Sequence, residues 1–299
     1  MLKSANMRGA MLMTASMAAF TVNDAFVKLL GDHLPFFQFL VIRSMGAAIL
    51  LFLLAWRSGA LVWPKNRSDR WLIAIRTPAE MVAAYFFLTA LIHMPLANVT
   101  AILQALPLTV ALGAAVVLKE PVGWRRFMAI GIGFIGVFLI IRPGVDGYSI
   151  YSIYALLAVV AVTVRDLAAR RLSKDVPSVT VALFAVIAIL AFATVGAAVG
   201  PKWEPILPTD WIWLGGSILT IIGGYLFSVS AMRQGEIGFV APFRYTSLIV
   251  ALILGLLVFG DWPDQITLLG AAIVVATGLF TLWRERSAAQ ATPTPFRTR

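Results

Sequence analysis

The chain alternates between long apolar segments and short polar stretches, and this pattern sets most of the predicted architecture. A helix needs about 20 mainly apolar residues to cross the hydrocarbon core of a bilayer. Segments of roughly this length cover residues 10–30, 35–56, 72–93, 97–118, 124–141, 150–170, 178–199, 211–232, 239–259 and 265–283. The stretches between them are too short to hold a soluble domain. The pattern therefore predicts an all-α membrane protein with ten transmembrane helices.

A polar motif inside these apolar segments occurs twice and divides the chain into two similar halves. The segment 21–35 resembles the segment 163–177, and each matched position is shifted by 142 residues. Three matches carry the resemblance: Asp24 with Asp166, Lys28 with Arg170, and Pro35 with Pro177. Internal duplication of this kind is typical of membrane transporters. We predict one five-helix repeat over 1–143, a second over 144–285, and a disordered cytoplasmic tail over 286–299.

The two repeats are predicted to have opposite orientations in the membrane. Five spans per repeat is an odd number, so the second copy enters from the other side. Glu120 matches Asp261 with a shift of 141, and Glu120 follows a lysine, whereas the loop at Asp261 has no Lys or Arg. Inverted repeats give a molecule two nearly equivalent conformations around a central site. The symmetry itself therefore predicts that a small molecule crosses the membrane.

Composition and charge agree with this topology. Hydrophobic residues make up 60% of the chain and charged residues 13%, about half the share found in soluble domains. If the amino terminus is cytoplasmic, most of the 24 basic residues fall on the cytoplasmic side, as the positive-inside rule requires. The net charge of +10 then reflects membrane topology and not nucleic-acid binding. We predict a multi-pass protein of the bacterial inner membrane with both termini in the cytoplasm.

The sequence lacks the motifs of the common alternatives. There is no Cys, which excludes disulfides and thiolate sites. No P-loop for ATP hydrolysis and no serine nucleophile elbow occur, and His33 and His93 do not have zinc-site spacing. We therefore expect no cofactor, no metal and no enzymatic activity.

Charged residues inside the spans are candidates for gating or coupling, because an unpaired charge there costs about 2.5–3.5 kcal/mol on insertion scales. Arg76 and Glu80 are four residues apart and face the same side of one helix. They form either a self-neutralising pair or a gate that breaks when the carrier opens inward. Asp24 and Asp166 either fasten their helices to neighbours or, for Asp24 above all, take up a coupling proton. Arg165 precedes Asp166, which makes Asp166 the weaker proton carrier.

A second set of residues is predicted to bind the substrate. Arg43 lies roughly 12 Å into its span at 1.5 Å per residue, where it either pairs with Asp24 or attracts a substrate carboxylate. Near the middle of the bilayer, an apolar cavity with a few polar groups would suit a flat amphipathic ligand. The residues predicted to line this substrate site are Phe20, Asn23, Arg43, Tyr85, Gln104 and Tyr225. We read Gly223–Gly224 as a site of close packing or a bend, Gly215–Ser217 as helix packing, and Arg244–Tyr245 as an interfacial anchor.

The sequence also resembles a known family. The stretches from Ala90 to Val137, with Leu118–Pro121, and from Gly235 to Gly278, with Ala241–Tyr245, are similar to EamA domains of the drug/metabolite transporter superfamily. Arg43 sits where that family often carries an arginine, and Asp261 replaces the usual Glu. The chain looks most like bacterial exporters of amino acids, including aromatic ones. The resemblance implies a ten-helix inner-membrane carrier that works without ATP.

Together these observations predict a secondary transporter that exports small amphipathic metabolites by alternating access. Amino acids are the expected substrates, and another metabolite or a drug-like cation is the alternative. A channel and an intramembrane lipid-modifying enzyme are rivals that the repeat and the lack of clustered catalytic residues disfavour. The partners expected are a small-molecule substrate and the lipid bilayer. Coupling to protons and the choice between monomer and homodimer stay open.

Overall fold

A computed structural model describes residues 2–119, 123–142, 149–173, 175–234 and 236–291. Its helices are α1 (Leu2–Gly31), α2 (Phe36–Arg57), α3 (Arg67–His93), α4 (Leu96–Leu103), α5 (Leu106–Val117), α6 (Trp124–Ile141), α7 (Ile150–Arg170), α8 (Ser178–Val199), α9 (Pro208–Gln234), α10 (Ile237–Val240), the short 3₁₀ helix Ala241–Tyr245, α11 (Thr246–Phe259) and α12 (Gln265–Ala291). Ten stretches are long and apolar enough to cross a membrane, which confirms the predicted fold class.

The observed spans differ little from the predicted ones. The largest shift at a helix start is in α1, which begins at Leu2, eight residues before the predicted start. Helix α3 begins at Arg67, five residues before its predicted start, because Asn66 caps it by accepting a hydrogen bond from Ser68 N at 3.1 Å. At the carboxyl end, α12 continues to Ala291, so the first residues of the predicted tail are helical. Glu120, the repeat boundary at 143–144, and residues 292–299 lie outside the described residues.

Helix packing follows the repeat. The first helix of each repeat packs most extensively against the third helix of the other, as α1 with α9 and α7 with α3. Equivalent helices also meet across the repeats, as α2 with α8 and α6 with α12. The core therefore lies between the repeats, with apolar clusters that contain Leu108 and Ile140 on one side and Phe39 and Leu91 on the other.

The fourth span of each repeat is broken in the middle. The first break lies at Gln104–Ala105, between α4 and α5, and Pro107 has no N–H to donate to the carbonyl of Leu103. The second lies in the 3₁₀ helix before α11, which contains Pro242. Broken helices are tolerated at membrane depth where protein or a cavity satisfies the freed backbone groups.

The two ends of the bundle are distinguished by charge. We call the end at which α1 and α3 begin the basic end, because it carries Arg57, Lys65, Arg67 and Arg70. The opposite end, at which α1 and α3 finish, is the far end. In the predicted topology the basic end is cytoplasmic.

Candidate functional site

Four polar residues from three helices form a hydrogen-bonded group, the Arg43 cluster, composed of Asn23, Asp24, Arg43 and Ser217. Arg43 Nε donates to Ser217 Oγ at 3.0 Å, and its Nη2 donates to Asn23 Oδ1 at 3.3 Å. Ser217 Oγ donates to Asn23 Oδ1 at 2.8 Å, and Asn23 Nδ2 donates to Asp24 Oδ1 at 3.0 Å. The cluster joins α1, α2 and α9 about 10 to 14 Å below the far end, at 1.5 Å per residue.

Arg43 interacts with Asp24 mainly through space. The two charges stabilise each other electrostatically, but within the described residues no direct ion pair joins them. Arg43 is held instead by Asn23 and Ser217. Both Asp24 and Arg43 are half-buried, whereas Asn23 and Ser217 are buried. The predicted direct lock between Arg43 and Asp24 is therefore replaced by a bridge through Asn23.

A second group, the Arg165 cluster, contains Arg76 and Glu80 on α3 and Arg165 and Asp166 on α7, nearer the basic end. Arg165 Nη1 lies 2.9 Å from Glu80 Oε1, and Arg165 Nη2 lies 2.9 Å from Asp166 Oδ1. Arg76 Nη2 lies 3.4 Å from Glu80 Oε2, so the predicted pair on one helix face forms. Two positive and two negative charges make the cluster neutral. Nε and Nη1 of Arg76 are buried without a hydrogen-bond partner among the described residues.

The two clusters occupy equivalent places in the two repeats. The repeat shift of 142 relates Asn23 to Arg165 and Asp24 to Asp166. A shift of 141 relates Arg76 to Ser217. Arg43 has no such counterpart, because position 185 is an alanine. The clusters therefore lie on opposite sides of the membrane centre, at the α1–α9 and α7–α3 interfaces.

Gln104 links the two broken helices at the centre of the bundle. Its Nε2 donates to Ser247 Oγ at 3.0 Å and to the carbonyl of Tyr245 at 3.4 Å. Gln104 and Tyr245 are separated by 141 residues, so each lies at the break of its own repeat. Each is eight residues, or about 12 Å, from the start of its helix, and the helices start from opposite ends. The contact therefore lies close to the middle of the bilayer.

The remaining predicted substrate residues do not gather around Gln104. Tyr85 lies in a cluster of aromatic rings, with centroids 5.6 Å from Phe36, 5.4 Å from Phe86 and 6.1 Å from Phe192. Across the described parts of the chain, no hydrogen bond or ring contact joins Tyr85 to Gln104. Tyr85 belongs to the side of the bundle formed by α2, α3 and α8, and its role in substrate binding stays a prediction.

Tyr225 and Phe20 make their contacts elsewhere, and not around Gln104. The Tyr225 hydroxyl donates to the carbonyl of Ser178 at 2.8 Å, in the first turn of α8 at the basic end. Helix α9 extends nine residues beyond Tyr225, and the part of Tyr225 in substrate binding stays a prediction. Phe20 packs on Gly224, where a Cβ atom would come within 2.8 Å of the ring. Gly224 therefore serves close packing, one of the two roles considered for it.

Tyr245 is not an interfacial anchor. Its side chain is 6% exposed and its hydroxyl lies against Gly278 of α12, without a hydrogen-bond partner in the described residues. The 3₁₀ turn before α11 directs the ring into the bundle rather than toward the membrane surface.

Lys28 joins α1 to α3 at the far end. Its Nζ donates to the carbonyls of Leu91, Ile92 and Met94 at 3.3, 3.3 and 2.8 Å, which ties α1 to the end of α3, and it lies 5.4 Å from the ring centre of Phe259. Lys28 therefore binds α3 and not the carboxylate of Asp24 one turn away.

A second contact at the far end joins the last helices of the two repeats. Arg142, just after α6, forms an ion pair with Asp264, which caps α12 by accepting a hydrogen bond from Thr267 N at 2.9 Å. That backbone hydrogen bond, supported by Arg142, lowers the pKa of the Asp264 carboxyl below its ordinary value. Both groups are partly exposed, so the contact adds little to stability.

Ser217 is the functional residue that the sequence reasoning missed. It was assigned to helix packing with Gly215 and Gly216, and Gly216 does pack against Phe26. The repeat shift of 141 that relates Glu120 to Asp261 also relates Arg76 to Ser217. Applying that shift to every charged residue in a span would have marked Ser217 as a polar partner.

Comparison with known proteins gives the family. The EamA-like transporter family matches residues 7–142 and again residues 149–283. A riboflavin transporter of Vibrio cholerae is 29% identical over 71% of this chain and 72% of its own length. An S-adenosylmethionine uptake transporter of Rickettsia felis is 22% identical over 91% of this chain and 92% of its own. The pseudopaline exporter CntI of Pseudomonas aeruginosa is 24% identical over 89% and 93%.

A solved crystal structure has the same fold, with a TM-score of 0.61 and 15% identity over 93% of this chain and 99% of that one. The relatives are named for riboflavin, S-adenosylmethionine and pseudopaline, so they support the superfamily and not aromatic amino-acid exporters in particular. The two family matches cover nearly the whole chain, one for each five-helix repeat. The chain belongs to the EamA-like transporter family.

Proposed function

We propose that this protein is a secondary transporter that exports small amphipathic metabolites, amino acids among them, across the bacterial inner membrane by alternating access. The observation that carries the proposal is the central crossing, at which Gln104 joins two helices broken at equivalent positions. Discontinuous helices that meet at the midplane are the usual setting of a transporter binding site. The Arg43 cluster, which contains two half-buried charges, would supply the polar part of the site.

The asymmetry of the helix contacts supports alternating access. At the far end, α1 is tied to α3 through Lys28. The counterparts of these helices, α7 and α9, make no contact of similar extent among the residues that the structure describes. Inverted repeats would exchange these two arrangements in the other state. Lys28 therefore holds the far end together in this conformation, and release of cargo on that side would require its hydrogen bonds to break.

The Arg165 cluster is proposed to gate the basic end. Its ion pairs hold α3 against α7, and Asp69 strengthens that contact by accepting hydrogen bonds from Ser173 N and Oγ at 3.0 and 2.8 Å. Asp24 is the candidate for proton coupling, because among the described residues its carboxylate has no direct ion pair and accepts a hydrogen bond through Oδ1 alone. Arg76, Glu80 and Asp166 would then act as gate residues.

The relatives widen the range of cargo. Riboflavin and S-adenosylmethionine are larger than most amino acids, and both carry polar groups on a flat ring system. The alternative of another metabolite in the same superfamily therefore stands beside amino acids. All the named relatives considered are transporters, which favours transport without chemical change of the cargo.

Uptake into proteoliposomes tests the proposal. Labelled phenylalanine, tryptophan, threonine, riboflavin and S-adenosylmethionine are offered with and without an imposed pH gradient. We expect saturable flux of at least one cargo, with inhibition by unlabelled cargo and none in protein-free vesicles. A flux that rises linearly with concentration would indicate a channel. Loss of cargo without accumulation of the same molecule would indicate an enzyme.

A further inference from the structure

The Arg43 cluster leaves two oppositely charged groups only partly used. The guanidinium of Arg43 has five N–H groups, and its hydrogen bonds to Asn23 and Ser217 occupy one on Nε and one on Nη2. The carboxylate of Asp24 accepts from Asn23 through Oδ1 only. Nη1 of Arg43 and Oδ2 of Asp24 have no hydrogen bond within the described residues, and both side chains are half-buried.

The hydrogen bonds fix the two charged groups in place. Ser217 Oγ accepts a hydrogen bond from Arg43 Nε and donates one to Asn23 Oδ1. The amide of Asn23 therefore has one orientation, with its oxygen toward Arg43 and its nitrogen toward Asp24. Such positioning lowers the entropic cost of binding a ligand.

We infer that Arg43 and Asp24 together bind the head group of an α-amino acid, with the carboxylate on Arg43 and the ammonium on Asp24. This inference rests on the proposed transport function and assigns the part of the cargo that the site recognises. Arg43 offers Nη1 for the carboxylate, and Asp24 offers Oδ2 for the ammonium. Ser217 and Asn23 are positioning residues, since their polar groups are engaged with Arg43 and Asp24.

Electrostatics explain why a zwitterion fits better than a single charge. A lone anion at Arg43 would be repelled by the nearby Asp24, and a lone cation at Asp24 would be repelled by Arg43. Charges interact strongly at the low effective dielectric constant of a protein interior. A zwitterion compensates both protein charges at once, and the filled site remains neutral overall.

The equivalent place in the second repeat lacks this arrangement. There, Asp166 is paired directly with Arg165, and Glu80 adds a second carboxylate to Arg165. Position 185, which corresponds to Arg43, is an alanine. Among the residues that the structure describes, the Arg43 cluster therefore differs from its counterpart in that its cation and its anion are not paired directly with each other.

Ligand-induced stabilisation of the purified full-length protein in nanodiscs tests the inference, because a ligand that binds the folded state raises the unfolding temperature. Three sets of probes are compared: the common L-amino acids, the amines made by removing their carboxylates, and the acids made by removing their amino groups. For at least one amino acid, we expect the wild type to bind the parent compound roughly 10- to 100-fold more tightly than either derivative, as loss of a charged hydrogen bond predicts.

Two variants separate the two contacts. Arg43→Gln is expected to remove the preference for the amino acid over its amine. Asp24→Asn is expected to remove the preference over the des-amino acid. If Arg43→Gln folds poorly, Arg43→Lys keeps the charge and is expected to retain the discrimination. Asp166→Asn makes the matching change at the equivalent position, and it is expected to leave the order of the three probes unchanged.

Several outcomes would overturn the inference. It fails if no amino acid stabilises the protein, or if Arg43→Gln and Asp24→Asn weaken all three probes by the same factor. If Asp24 serves only proton coupling, Asp24→Asn would change the effect of a pH gradient on every cargo without altering the ranking of the probes. Saturable uptake of riboflavin or S-adenosylmethionine without amino-acid binding would contradict this inference and leave the proposed transport function standing. No flux of any cargo would contradict the proposed function itself.

Discussion

The ion pair between Glu80 and Arg165 should contribute measurably to the stability of the α3–α7 interface. Their closest atoms are 2.9 Å apart, and the side chains are only 19% and 26% exposed. At an effective dielectric constant of about 20, the attraction between two unit charges at this distance is about 6 kcal/mol. Most of that gain is offset by the loss of hydration. We expect a net coupling energy of about 1.5 to 3 kcal/mol, the range of hydrogen bonds to charged groups.

A double-mutant cycle with Glu80→Gln, Arg165→Gln and the double variant measures this coupling as a free energy of unfolding in mixed micelles. The matched control is the same cycle at Arg142 and Asp264, an ion pair with one side chain 57% exposed. Exposed pairs of this kind contribute about 0.2 to 1 kcal/mol. The reasoning would be refuted by a coupling energy at Glu80–Arg165 no larger than that of the control.

Three further predictions concern the far end and the helix contacts. Lys28→Met removes the donor to three carbonyls, so the far end should open more often. Because the chain has no Cys, a single Ser217→Cys reporter should then react several-fold faster with an impermeant thiol reagent added from that side. An unchanged rate would show that Lys28 does not hold the far end together. Gly224→Val should destabilise the protein by about 1 to 3 kcal/mol in an unfolding assay, because the added Cβ would lie 2.8 Å from the ring of Phe20. At Gly223 an added Cβ meets no atom closer than 3.9 Å, so Gly223→Ala should be nearly neutral in the same assay. Because the pKa of Asp264 is lowered in the folded state, its ionised form stabilises the fold. This small contribution is present above the pKa of the unfolded chain and is lost as the pH falls through the folded pKa. Asp264→Asn should therefore flatten the acid side of a plot of unfolding free energy against pH, and an equally steep plot would contradict this assignment.

Much of the fold follows from the sequence because the bilayer restricts the possible structures. A spanning segment must satisfy its backbone groups internally, so apolar length and charge bias predict helices and their order. The repeat motif at Asp24 and Asp166 also predicts which helices are equivalent, since one shift relates both halves. The helix breaks were harder to predict: Pro107 marks a missing donor, but the turn at Gln104 depends on its bond to the other repeat.

The site was predicted in part. Sequence reasoning identified Arg43, Asp24 and the charged residues of the Arg165 cluster, because charges inside apolar spans stand out. It did not show that Arg43 binds Ser217, since a serine beside two glycines also suits helix packing. The hydrogen bond from Tyr225 to Ser178 also could not be predicted, because it depends on how far α9 extends past the start of α8. The relative level of two residues on neighbouring helices depends on where each helix begins and ends, and the hydrophobic periodicity of the sequence does not show this.

The bond between Gln104 and the Tyr245–Ser247 segment has a consequence for how a duplicated protein can evolve. Two identical chains inserted in opposite directions would place the same residue on both sides of their symmetry axis. Only residues able to pair with themselves would then be tolerated there. Joining both copies in one chain removes that restriction, so a glutamine amide on one side can meet a backbone carbonyl and a serine hydroxyl on the other. The same freedom permits an arginine at position 43 and an alanine at 185, so the two halves can carry different polar groups at equivalent places.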